Sequence, residues 1–134
     1  MAHRIFGEPL NIALRLIRTH WIGITWLTLV GITLASLWPL DTLPTVPGSD
    51  KIHHLVAYAL LMFPTTLRKP KRRMLYGLLY IVFSGVIELI QPYVNRYGEW
   101  SDLLANSAGI VCGVILAEVV TLLAPGKMKA SWRD

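Results

Sequence analysis

Four long apolar stretches, separated by short polar links, dominate the chain. They run from Trp21 to about Leu37, from Ile52 to Leu67, from Met74 to about Ile90, and from Leu103 to Ala124. Each holds roughly 16 to 22 residues, close to what a helix needs to cross a bilayer. The second is the shortest and contains Pro64, so it either kinks or is completed by its polar flanks. Ahead of the first stretch, Ile5, Phe6, Leu10, Ala13, Leu14 and Ile17 recur at helical spacing, with Arg4, Asn11, Arg15 and Arg18 largely on the other side. That pattern predicts an amphipathic helix lying on a membrane surface. Thr33-Leu34-Ala35 resembles a weak cleavage site, but the long lead and long apolar run favour a span over a signal peptide. The expected fold is all-α: a transmembrane bundle of about four helices with an N-terminal amphipathic interfacial helix.

Composition supports this. The 134 residues suit a single domain spanning 1–134, and 54% are hydrophobic against 16% charged. A soluble domain of this size has too little polar sequence to coat that much apolar surface. The net charge of +5 does not indicate nucleic acid as a partner, because the cations sit in short clusters between apolar runs. Such clusters face anionic lipid and set topology. The lone Cys112 excludes an internal disulfide and a cysteine-based metal framework, and is expected to be a buried small hydrophobe.

The cations also predict orientation. Eleven of the 13 Lys and Arg residues lie in the lead (Arg4, Arg15, Arg18), the second link (Arg68, Lys69, Lys71, Arg72, Arg73) and the tail (Lys127, Lys129, Arg133). Four crossings place all three segments on one face, which the positive-inside rule makes cytoplasmic, together with both termini. The link holding Pro39, Pro44 and Pro47 and the link from Pro92 to Ser101 then face outward. Trp38, Tyr93, Tyr97 and Trp100 sit at that boundary as an aromatic belt, with Trp21 at the inner one.

The informative residues are polar groups at span ends. Asp50, Lys51, His54 and Tyr58 open the second span; Glu88 and Gln91 close the third, followed by Arg96; Asp102 and Asn106 open the fourth. Helical rise puts Glu88, His54 and Asn106 each about 6 Å inside its helix end. Asp50, His54 and Tyr58 share one stripe, as do Glu88 and Gln91, and as do Asp102, Asn106, Gly109 and Gly113. Polar groups inside lipid must face protein or water, so the stripes are expected to face one another around an outward-opening pocket. The structural alternative is that these side chains only join helices, with Asp50 and Asp102 as N-caps. Ala105, Gly109, Gly113 and Ala117 are read as close-packing positions. Glu118, toward the inner end, is left outside the site, facing a basic residue such as Arg68 or water.

The run Asp50-Lys51, His54, Glu88, Gln91, Arg96, Asp102, Asn106, Gly109 and Gly113 resembles the VanZ-like family over about residues 49–117. Leu55 departs from the aromatic expected after the histidine. The resemblance implies a bacterial multi-pass protein of the cytoplasmic membrane, related to an accessory protein of teicoplanin resistance in the cell envelope. It supplies no settled reaction.

Two functions remain open. In one, the pocket binds or modifies an envelope lipid or lipid-linked cell-wall precursor. Lys51 and Arg96 would hold an anionic headgroup, with Asp50, Tyr58, Gln91 and Asn106 lining the ligand site. If catalytic, His54 would be general acid or base, oriented by Glu88 or Asp102. No Ser or Cys is placed as a nucleophile; Ser101 has no clear activating partner. In the other, the chain is a non-enzymatic accessory or scaffold whose polar layer locks the bundle. No cofactor and no metal is assigned: His54, Glu88 and Asp102 form a permissible donor set, but adjacent His53 and His54 point about 100° apart on a helix and cannot readily share an ion.

Overall fold

The computed structural model describes residues 7–38 and 49–124. These form five α-helices and no strand: α1 (Gly7–Thr19), α2 (Trp21–Leu37), α3 (Ser49–Arg68), α4 (Arg73–Ile90), continued by a 3-10 turn (Gln91–Val94), and α5 (Trp100–Leu123). Arg4, Ile5 and Phe6, the link containing Pro39, Pro44 and Pro47, and Lys127, Lys129 and Arg133 lie outside the described residues.

Helices α2 to α5 coincide with the four apolar stretches. Both α3 and α5 begin one polar turn earlier than hydropathy alone indicates, with Asp50 and Asp102 in their first turns. An acidic side chain there meets the positive end of the helix dipole, so a polar turn is helical without being apolar. Asp102 is thus not the N-cap of α5; that position is Glu99, which makes no side-chain cap bond.

Two elements are long and apolar enough to cross a membrane, α4 with its 3-10 turn and α5; α1 and α2 pass that test together but bend by 77° at their junction. Helix α3 does not pass, and the reason lies in its position. It touches each of the other four helices. Its Tyr58, Leu61 and Met62 pack with Ile32 of α2, Tyr80 of α4 and Ile110 of α5 in the central core. A helix enclosed by protein needs less apolar surface than one enclosed by lipid, and α3 runs through Pro64 without ending. The outward positions of the surrounding helices stay apolar: Leu27, Leu34, Leu89, Leu122 and Leu123 are exposed.

The closest approach is between α3 and α5. A Cβ added to Gly109 would collide with the Leu55 carbonyl oxygen, and one on Gly113 would lie 2.5 Å from that of Ala59. Leu55 therefore contributes its backbone to this seam. Cys112, on the flank of the same seam, is half-buried rather than enclosed.

At the Arg73 end, α1 folds beneath the bundle. Leu14 is buried with Leu67, Ala117 and Ala124, and Ile17 packs beside them. The Arg18 guanidinium donates to the Leu67 carbonyl (2.8 Å), satisfying one of the carbonyls that α3 leaves open at its C-terminus. The face expected to be uniformly lipid-bound is therefore divided: Leu14 and Ile17 meet protein, while Leu10 stays exposed with Ile12 and Leu16. Glu118 pairs with Lys69 (2.9 Å) and Arg73 (2.6 Å), not with Arg68. At the opposite end Trp38, Tyr93, Tyr97 and Trp100 are all exposed. Trp21 sits at the Arg73 end, edge-on to Tyr76 at 5.4 Å.

Candidate functional site

At the end away from Arg73, α3, α4 and α5 bring polar side chains into one buried chain of contacts. His54 of α3 lies between two groups of α5. Its Nδ1 is 3.0 Å from Asn106 Oδ1, and its Nε2 is 3.7 Å from Asp102 Oδ2. The Asn106 amide in turn donates to Ser84 Oγ of α4 at 2.6 Å. His54, Ser84, Asp102 and Asn106 are all buried. The local cause is the seam described above: glycine at 109 and 113 lets α5 approach α3 closely enough for Asp102 and Asn106, on the same stripe, to reach His54.

Asp50, one helical turn before His54, points the same way but is exposed; its Oδ1 is 3.8 Å from His54 Nε2. Lys51 fans across the rim, donating to Ser101 Oγ (3.0 Å), Glu99 Oε2 (3.1 Å) and Asp102 Oδ1 (3.4 Å). Glu99, in the loop before α5, is held below the usual carboxylate range by hydrogen bonds, first from Ser101 and then from Lys51.

The remaining residues singled out in the sequence occupy other positions. Glu88 does not orient His54: its Oε2 accepts the Glu99 backbone N–H at 3.1 Å, tying the loop to α4. Among the described residues, the carboxylates within 4 Å of His54 Nε2 are Asp102 and Asp50. Gln91 donates to the Ser36 carbonyl (3.2 Å), and Arg96 Nη1 to those of Ala35 and Trp38 (3.2 and 3.1 Å). Both therefore close the C-terminal end of α2, where open carbonyls need donors. Arg96 also lines a cleft of ≈ 100 Å³ between α2 and α3, together with Asp50, His54 and Tyr58. Tyr58 is buried with its hydroxyl beside Ser84 of α4, outside good hydrogen-bond geometry.

Sequence reasoning passed over Ser84 and Glu99. Ser84 carried a usable signal, since Ser84, Glu88 and Gln91 fall at i, i+4 and i+7 on one stripe of α4. Glu99 lies in a loop, where no periodicity points.

Chemically, the arrangement offers an imidazole fixed by an amide, a buried carboxylate opposite its other nitrogen, and two cations at the rim. It can hold an anion at the Arg96 cleft or at the Lys51 rim, or move a proton at His54 Nε2.

The family model described as VanZ/LLP1 matches residues 5–121, and the chain belongs to that family. No curated protein matches it, and no solved structure does. With the apolar helices, family membership makes this a membrane protein.

Proposed function

We propose that the His54 end of the bundle receives the anionic headgroup of an envelope lipid or lipid-linked cell-wall precursor. The observation that carries this reading is the buried His54–Asp102–Asn106–Ser84 chain beside a cleft lined by Asp50, Tyr58 and Arg96. Lys51 and Arg96 supply positive charge and would contribute charge-assisted hydrogen bonds to phosphate. By family analogy the ligand belongs to the cell envelope and bears on glycopeptide susceptibility.

The reading includes four crossings of the bacterial cytoplasmic membrane with both termini inside. Its support is the cation distribution and the exposed aromatic residues gathered at the His54 end. In a cysteine-free Cys112→Ser background, cysteine at Tyr97 is expected to react with an impermeant maleimide in wall-permeabilised cells, and cysteine at Lys71 only after lysis. The reverse pattern moves the site to the cytoplasmic side and removes the envelope ligand.

A second reading has the polar layer as a lock. It rests on Gln91 and Arg96, whose donors go to the backbone of α2. The two readings part on conservative variants. Under the ligand reading, His54→Gln and Asp102→Asn insert and melt in detergent like the parent. They fail to restore the envelope phenotype of a deletion strain, read as sensitivity to a lipophilic glycopeptide. Full complementation by both variants returns the polar layer to a structural role.

A further inference from the structure

The carboxylates of Asp50 and Asp102 and the imidazole of His54 form a three-sided arrangement, and the lipid reading assigns nothing to the space between them. We infer that Asp50, His54 and Asp102 form a binding site for a divalent transition-metal ion of the Zn2+ type. Their ligand atoms all lie within 4.8 Å of one another, with His54 Nε2 3.7 Å from Asp102 Oδ2 and 3.8 Å from Asp50 Oδ1. These separations are too long for hydrogen bonds. The two imidazole–carboxylate distances are only slightly wider than the about 3.4 Å between ligand atoms around a tetrahedral zinc with ordinary bond lengths. Asp50 is exposed and can close the gap by a side-chain rotation.

The independent observation is how the two buried members are left. The His54 side chain is 9% exposed and that of Asp102 5%, and each aims a polar atom at the same point without a hydrogen bond to it among the described residues. The two oxygens of Asp102 are divided: Oδ1 faces Lys51, and Oδ2 faces His54. With the Asn106 amide assigned so that its nitrogen donates to Ser84, its oxygen accepts from His54 Nδ1–H. In the neutral imidazole that places the lone pair on Nε2, between the carboxylates. A metal-bound histidine ordinarily donates its other ring N–H to such an acceptor, which fixes the ring and raises its basicity. In the neutral form the Nε2 lone pair and the two carboxylates repel one another, and a divalent ion between them neutralises the two acids together.

The donor set also explains why the sequence pointed elsewhere. Glu88, the third ligand that stripe geometry favours, is occupied by the Glu99 amide, whereas Asp50 sits one turn from His54 on its own helix. His53 takes no part, so the objection that adjacent histidines cannot share an ion does not apply. Arg96 lines the entry cleft, with Nη1 donating to two carbonyls, and Lys51 is directed to the rim; neither stands between the three ligand atoms. Metal binding at these three residues requires no lipid, and the titration below contains no lipid ligand.

Untagged protein in detergent, stripped with chelator, is titrated with Co2+ and followed by its visible ligand-field absorption, then with Zn2+ as competitor. The expected result is one Co2+ per chain, displaced by Zn2+. Asp50→Asn, whose exposed position spares the fold, should weaken binding at least tenfold. His53→Gln should leave it unchanged. Asn106→Ala, which frees the imidazole ring, should weaken it by roughly 10–100-fold. Absence of the absorption at saturating Co2+ overturns the site. So does undiminished binding by Asp50→Asn, which would mark an adventitious ion only.

Discussion

Gly109→Ala is expected to destabilise the protein by about 1–3 kcal/mol, the usual cost of overfilling a packed interior. The added methyl meets the Leu55 backbone carbonyl, which cannot rotate away as a side chain can, so α3 and α5 must separate. Separation also draws Asp102 and Asn106 away from His54, so the variant should lose both stability and site geometry. Gly85→Ala is the matched control: nothing lies within 4 Å of the methyl it would add. There the substitution should be neutral, or stabilising by about 0.5–1 kcal/mol through the gain in helix propensity. The measurement is thermal or denaturant unfolding of both variants in one detergent. If Gly109→Ala melts with Gly85→Ala, the α3–α5 seam is not the close contact described here.

Asn106→Leu should have an effect of comparable size. It removes both bonds that Asn106 makes, leaving His54 Nδ1 buried without its partner and Ser84 Oγ without the Asn106 amide. Each unsatisfied buried group costs about 1–3 kcal/mol. The two halves can be separated. Ser84→Ala alone strands one donor of Asn106; combined with Asn106→Leu, it removes a group that the leucine had already deprived of that amide. The double variant should therefore be less destabilised than the two single costs added together, with a coupling of about 0.5–3 kcal/mol in unfolding measurements. Strict additivity is the outcome that contradicts a continuous Ser84–Asn106–His54 chain.

Much of the fold was legible because a bilayer constrains sequence so strongly. Each span must satisfy its own backbone and be apolar over about 20 residues, so α2, α4 and α5 stand out as uninterrupted runs. The amphipathic lead was visible from its period, yet its division into a protein-facing side at Leu14 and Ile17 and an exposed side at Leu10, Ile12 and Leu16 was not. Periodicity reports that a residue is apolar, not whether lipid or a neighbouring helix covers it. Helix α3 shows the converse: its apolar run Ile52–Leu67 marks a span, but the whole helix with its polar ends is too weakly apolar to pass as one alone, which its central position allows.

For the site, the sequence by itself determined depth and stripe. Helical rise and spacing place Asp50, His54, Glu88, Gln91, Asp102 and Asn106 near one end of the bundle, on defined helix faces. What only the tertiary structure decided is which stripe meets which. That depends on helix rotation and on the glycine seam, and these assigned Asp102 and Asn106 to His54, Glu88 to the loop amide of Glu99, and Gln91 and Arg96 to the open carbonyls of α2. Spacing along one helix fixes an angle about its own axis. The angle between helices is set by side-chain volumes at contacts far apart in sequence, such as Gly109 against Leu55, and no local pattern in the chain encodes it.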